Sequence, residues 1–251
     1  MGKWINRRPK AVVFVDYEHW FYSYLSLYKF RPNILVWKQA LEAQFQIVRL
    51  EVFADFSAPK LDKEKAYWEK HADAVINTQD ILPQRGKDMT DFVMLDHIYR
   101  SIRKYKRIKT YILFTGDGHF RPAIRYLTEE LGKRVICWGV NNAYSSLIRD
   151  TKVEQLLAPT LEELYVQYRD FIIEDLAYCA DHFGIIPTFS STVEAVTKYH
   201  SLQAGSVRQV LQKMIEDGYI KQYDHTVTPT KTVRALEANW ERLKHEGLFI
   251  P

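Results

Sequence analysis

The sequence predicts an open α/β sheet of parallel strands, followed by a smaller and mainly helical domain. Two observations carry this. Over residues 10–158, short and continuously apolar runs alternate with longer amphipathic stretches. A run without polar interruptions suits a strand covered on both faces, as parallel strands are, rather than one with a wet face. Around Leu157-Ala158-Pro159 the alternation stops and the apolar spacing becomes helical.

The strands are expected at Ala11–Val15, Ile47–Phe53, Ala74–Asn77, Tyr111–Thr115 and Arg134–Trp138. Helices are expected between them at Trp20–Lys29, Leu35–Gln44, Lys60–His71, Thr90–Lys104 and Phe120–Leu131. Strand-then-helix repetition is the pattern of a Rossmann-type sheet. The second domain, residues 161–251, opens on a long helix, Leu161–Phe183, ended by Gly184 and Pro187. Helices at Ser191–Tyr199 and Ala204–Asp217 follow, the latter stopped by Gly218. Val207, Val210, Leu211 and Met214 give it one buried face. Tyr219–Tyr223 and Thr226–Thr228 are expected to pair as a small hairpin, and Val233–Lys244 to close the chain as a helix. Helix, turn, helix and hairpin together look like a winged helix.

Composition sets the broad class. Hydrophobic residues at 47% and charged residues at 26% are ordinary for a globular protein. A net charge of +4 permits a nucleic-acid partner without demanding one. Cys137 and Cys179 are far apart, which argues against a disulfide framework or a cysteine zinc site and for reduced thiols in the cytoplasm. No apolar run approaches the roughly 18 residues of a membrane helix, and the first ten residues lack the apolar stretch of a secretion signal. The expectation is a cytoplasmic protein without a membrane partner.

In an open parallel sheet, ligands bind beyond the carboxyl ends of the strands. Ala11–Val15 runs directly into Asp16, and Tyr111–Thr115 runs through Gly116 into Asp117, so both carboxylates belong to that edge. Asp91 lies at the start of the helix that carries Asp96, and Glu18 follows Asp16 by two positions. Gathered carboxylates repel one another unless a cation or protons intervene. Mg²⁺ or Mn²⁺ suits oxygen ligands and keeps waters for chemistry. Each acid also suits a plainer role: Asp16 and Asp117 as helix caps, Asp91 as the partner of Asp88 in a capping box, Asp96 as a solvated or salt-bridged helix residue.

Phe14-Val-Asp-Tyr-Glu18, Lys87-Asp-Met-Thr-Asp91 with Asp96, and Phe114-Thr-Gly-Asp-Gly-His-Phe-Arg-Pro122 resemble, in order, three motifs of the NYN domain family of PIN-like nucleases. Trp138-Gly-Val140 and Ser145–Leu147 resemble the segment after its last main strand. The resemblance covers residues 10–158 and implies a PIN-like Rossmannoid sheet with Mg²⁺- or Mn²⁺-dependent endoribonuclease activity. By position, Asp16, Asp91 and Asp117 match the family's acidic, metal-binding residues, with Glu18 and His119 as further candidate ligands. Two positions depart from the pattern: His19 stands where the family usually has asparagine, and His119 where it usually has a further aspartate.

Candidate nucleic-acid contacts are Lys87 in the loop Pro83–Lys87, Arg121 and Arg125 just beyond Asp117, and Arg103 and Lys104 within the basic stretch Arg100–Lys109. In the second domain Arg208 and Lys213 lie off the apolar face of the candidate recognition helix. These residues suggest RNA as partner, single-stranded above all, with DNA or a protein as alternatives for the C-terminal domain. The apolar residues of Leu161–Phe183 occupy more than one face, which fits burial between domains or between the subunits of a homodimer. Two functions compete: a metal-dependent endoribonuclease, favoured by the acids, and a non-catalytic nucleic-acid-binding adaptor, favoured by the two histidines. A phosphatase on small esters is the weaker third, since Asp16-Tyr-Glu18 lacks the second aspartate that would follow a covalent nucleophile by two residues.

Overall fold

The computed structural model describes residues 8–81, 89–148 and 154–249. The chain divides into two compact units, one of residues 1–26 and 31–158, the other of residues 27–30 and 159–251.

Unit 1 is built on a six-stranded sheet. Its strands are β1 (Lys10–Asp16), β2 (Gln46–Ala54), β3 (Ala74–Asn77), β4 (Thr110–Phe114), β5 (Arg134–Val140) and β6 (Glu154–Leu157), in the order β3-β2-β1-β4-β5-β6. Every neighbouring pair is parallel. The predicted fold class and all five expected strands are present, and β6 adds an edge strand that the sequence reading did not contain. Between them lie α1 (Tyr17–Tyr28), α2 (Ile34–Gln44), α3 (Asp62–Glu69), the short α4 (Thr78–Ile81), α5 (Thr90–Lys104) and α6 (Arg121–Arg125). The expected single helix Phe120–Leu131 is instead a 3₁₀ turn at Gly118–Phe120, the helix α6 and a π-helical turn at Tyr126–Glu130.

Both faces of the central strands β1, β4 and β5 are dry, as continuous apolar strands require. Val12 and Phe14 of β1, Tyr111 and Leu113 of β4 and Val135 and Cys137 of β5 share one cluster with Val93, Met94 and Ile98 of α5 and Ile124 of α6. The other face is aromatic: Trp20 stacks on Phe114 at 4.2 Å, and Trp37 meets Trp20, Phe114 and Trp138 edge to face. Aromatic pairs at these separations add to the area they bury. Strand order reverses direction between β1 and β4, so a crevice opens past their carboxyl ends.

Unit 2 is mainly helical. It contains α7 (Leu161–Asp181), α8 (Phe189–His200), α9 (Ala204–Glu216), an antiparallel hairpin of β7 (Ile220–Thr228) and β8 (Lys231–Ala238), and α10 (Trp240–His245). Thr160 and Thr188 open α7 and α8 with reciprocal capping boxes. Two expectations are corrected here. Tyr219–Tyr223 and Thr226–Thr228 do not pair with each other: residues 220–228 form the single strand β7, carried through Asp224 and His225 by their pairing with Arg234 and Val233 of β8. Residues 233–238 belong to the second hairpin strand and not to the final helix, which starts only after the cap Asn239. Val233 and Leu236 stand three apart and mimic a helical face, yet the run Lys231-Thr-Val233 follows a turn and is rich in β-branched residues, which suits a strand. Among the described residues, no helix is long and apolar enough to cross a membrane.

Candidate metal centre

Asp16 is the last residue of β1 and the cap of α1. Its Oδ1 accepts the His19 backbone N–H at 3.0 Å, and its Oδ2 accepts the Thr115 hydroxyl at 3.3 Å. The side chain is buried, and these two bonds are what make a buried carboxylate tolerable. The same Thr115 hydroxyl accepts the Asp117 N–H at 3.1 Å. A single threonine therefore ties the ends of β1 and β4 together and joins the two acids that the sequence placed on this edge. Thr115 went unnoticed in the sequence reading. Its signal was there: a hydroxyl residue closing a buried strand directly before Gly116-Asp117.

Asp117 caps the 3₁₀ turn, its Oδ1 accepting the His119 N–H at 2.8 Å. The turn swings the His119 imidazole back over the acids. His119 Nδ1 lies 3.3 Å from Asp117 Oδ1 and 3.4 Å from Asp91 Oδ2. Asp91, Asp117 and His119 each offer a ligand atom, and these atoms all lie within 4.8 Å of one another. Two carboxylate oxygens and one imidazole nitrogen at this spacing are a donor set that fits a divalent cation. The three residues are half-buried, half-buried and exposed, so the group is open to a ligand.

Asp91 reaches this group because the start of α5 is fixed by Glu18. Glu18 Oε2 accepts the Asp55 N–H at 2.9 Å and the Thr90 hydroxyl at 3.0 Å, and Thr90 in turn meets the Thr78 hydroxyl at 3.1 Å. Thr90 and Thr78 are buried. Glu18 thus pins the first turn of α5 to the end of β2. Neither Asp16 nor Glu18 is in the three-residue group; both hold the elements that carry it.

His19, expected as a departure from the family pattern at the site, is not one of the three grouped donors. Its Nε2 lies 3.0 Å from the Ala143 carbonyl. Burial holds its pKa below the ordinary value, against the Ala143 hydrogen bond and the Asp117 charge. A carbonyl only accepts, so the His19 Nε2–H is the donor to Ala143. Gly116 lies in the gap: a Cβ there would sit 2.2 Å from His19 Nε2 and 2.3 Å from Ala143 O. The Gly116 carbonyl accepts the Ser145 N–H at 2.8 Å, which holds the following loop against the crevice.

The expected nucleic-acid residues separate into groups. Arg121 and Arg125 stand on α6, one turn and two turns past Asp117, both exposed. Arg125 is committed to Glu129 by a two-pronged ion pair at 2.9 Å. Arg103 and Lys104 are exposed in the last turn of α5, roughly 18 Å along the helix from Asp91. They complement the helix dipole there and stand at the opposite edge of the sheet from the acids. Asp96 is bound to Arg100 at 2.9 Å, as a salt-bridged helix residue. Lys87, with the loop Pro83–Lys87 and Asp88, lies outside the described residues. In unit 2 Arg208 is exposed on α9, whereas Lys213 binds Asp217 at 3.0 Å and covers the Tyr165 ring at 5.5 Å.

Comparison with known proteins agrees with this geometry. A crystal structure of a protein of unknown function from Vibrio parahaemolyticus matches with a TM-score of 0.53 at 17% identity, over 63% of this chain and 97% of that one. At that identity the match speaks for the fold. No curated protein matches the chain significantly. The NYN domain model matches residues 10–154, more than half of the sequence and the whole span from β1 to the start of β6; the chain belongs to the NYN domain family.

Proposed function

We propose that unit 1 is a metal-dependent endoribonuclease domain that hydrolyses phosphodiester bonds of single-stranded RNA. The approach of Asp91, Asp117 and His119 at the carboxyl edge of the sheet carries this reading, because three donor atoms within 4.8 Å are what one cation needs. The family gives the PIN-like nuclease class, and the donors give the chemistry. Asp91, Asp117 and His119 would hold the ion, Mg²⁺ or Mn²⁺, and the imidazole nitrogen makes Mn²⁺ the better match of the two. A bound cation supplies a polarised water and stabilisation of the charge that builds on the phosphate. Asp16 keeps Thr115 and through it Asp117 in place, and lies next to the group as a further acid. Glu18 positions Asp91. Arg121, two residues past His119 at the start of α6, is our candidate contact for the scissile phosphate, with Lys87, Arg125, Arg103 and Lys104 as further candidate contacts for the RNA.

Unit 2 we read as winged-helix-like, from three helices followed by a hairpin, with Arg208 on the candidate recognition helix. RNA is the proposed partner of unit 1, with DNA or a protein as alternatives for unit 2. The proposed compartment is the cytoplasm, on the cysteine argument given above. The adaptor reading has one observation of its own: both Asp16 oxygens already accept hydrogen bonds in a buried setting, so a carboxylate the family pattern places at the metal is tied up structurally.

The deciding experiment is cleavage of labelled single-stranded RNA with Mn²⁺, Mg²⁺ or chelator, with Asp91→Asn and Asp117→Asn in parallel and Mn²⁺ binding measured by calorimetry. Cutting that needs metal and that both variants lose, together with their weakened Mn²⁺ binding, is expected. RNA binding without cutting by any of the proteins would establish the adaptor instead.

A further inference from the structure

The outward face of α5 carries two large rings that the core does not use. The inward face, Val93, Met94, Ile98 and Ser101, is buried against the sheet. A helix so placed ordinarily turns polar residues to solvent. Here Phe92 is 63% exposed and Tyr99 43%. They stand seven residues apart, two turns and hence one face, about 10 Å along the axis. Tyr126, 41% exposed, extends the row sideways with its ring centroid 5.8 Å from that of Tyr99. The row begins at the end of α5 that carries Asp91, the residue before Phe92, and runs toward the exposed Arg103 one turn past Tyr99. Two acids near this face are matched by cations, Asp96 by Arg100 and Glu129 by Arg125, and Glu130 lies exposed one turn past Tyr126.

We propose that Phe92, Tyr99 and Tyr126 form a stacking track for the unpaired bases of RNA leading into the metal group, with Arg103 at its far end for the backbone. Exposed rings interleaved with arginines are the means by which proteins hold single strands without reading sequence, and a base-paired duplex offers no free base faces to such a row. The span from Phe92 to Tyr99 equals roughly three base-stacking steps of 3.4 Å. The track rests on the reading of the metal group as an RNA-cleaving centre, and it adds to that reading a reason for single-strand preference.

The test is anisotropy with a fluorescein-labelled oligouridine and with a blunt RNA duplex of equal length, in chelator so that nothing is cut. Phe92→Ala and Tyr99→Ala are each expected to weaken oligouridine binding at least about fivefold. Phe92→Tyr and Tyr99→Phe, which keep a ring, should bind as the unaltered protein does, and duplex affinity should not move in any variant. Thermal midpoints confirm folding, since these rings are exposed. Alanine variants that hold oligouridine as well as the unaltered protein would overturn the track. The Mn²⁺ cleavage assay, run on the same proteins, separates the two ideas. Ring-independent binding with intact cutting leaves the nuclease standing and removes the track. Ring-dependent binding without cutting does the reverse, and no oligouridine binding at all removes both.

Discussion

Glu51 shows how a single buried charge fixes the helix that carries the candidate site. It sits on β2, nearly inaccessible, and accepts from Arg49 Nε at 2.9 Å while meeting His97 Nδ1 of α5 at 2.8 Å. Burial alone would raise its pKa; the hydrogen bonds and charges of His97 and Arg49 outweigh burial and hold it below the ordinary 4.5. The folded state therefore holds this carboxyl ionised where the unfolded chain has already taken up a proton. Its contribution to stability is complete above 4.5 and is lost as pH falls from there through the lowered folded value. We expect the urea midpoint to drop when pH is taken below 4.5, and Glu51→Gln to be less stable above that pH but to show a shallower drop. Equal acid slopes in the two proteins would refute this assignment. His19 teaches the companion lesson. Its place in the motif marked a departure from the family pattern, and its ring, bonded to Ala143 behind Gly116, does a packing job.

Among the elements, α5 bears the most. One end holds Asp91, one face closes the core, the opposite face exposes Phe92 and Tyr99, and the last turn carries Arg103 and Lys104. Ile98, fully buried against the sheet, is expected to cost about 2–5 kcal/mol on change to alanine, in the range of cavity-forming core substitutions. Urea unfolding measures it; a loss near zero would mean that the helix packs more loosely than its burial indicates. The sequence made this helix legible to the residue, Thr90–Lys104, because buried Val93, Met94 and Ile98 repeat at helical spacing between clear ends. Strands β1, β4 and β5 were legible for the same kind of reason, as unbroken apolar runs. What stayed hidden had weak local signals. β6 is a four-residue edge strand whose place depends on β5. β8 has a helix-like spacing that pairing with β7 overrides. The 3₁₀ and π turns around α6 come from Asp117 capping and from packing, which periodicity does not register. At the candidate site, the strand-end rule pointed to Asp117 and the start of a helix to Asp91, whereas neither pointed to Thr115 or Thr90. Hydroxyls that link carboxylates reveal themselves only when separate loops meet.

Across the whole chain, charge is arranged so that net basicity of +4 is a poor guide to where a nucleic acid would lie. In unit 1 the carboxylates collect past the carboxyl ends of β1 and β4, while Arg103 and Lys104 stand at the far end of α5. Many other cations are already engaged: Arg49 with Glu51, Arg100 with Asp96, Arg125 with Glu129. In unit 2 the Lys213 ammonium has Asp217 on one side and the Tyr165 ring on another. An ion already neutralised within the protein releases no counterion from a phosphate, so it should not appear in the salt dependence of RNA binding. Measured as log K against log salt, the slope is expected to shrink by about one when Arg103 becomes Gln, and to stay as it is for Lys213→Gln. Lys213→Gln should instead lower stability slightly, by an amount within the 0–1 kcal/mol typical of exposed pairs. If Lys213→Gln flattened the slope as much as Arg103→Gln does, the Lys213 ammonium would be a phosphate contact despite its Asp217 partner, beside Arg208 on the same helix.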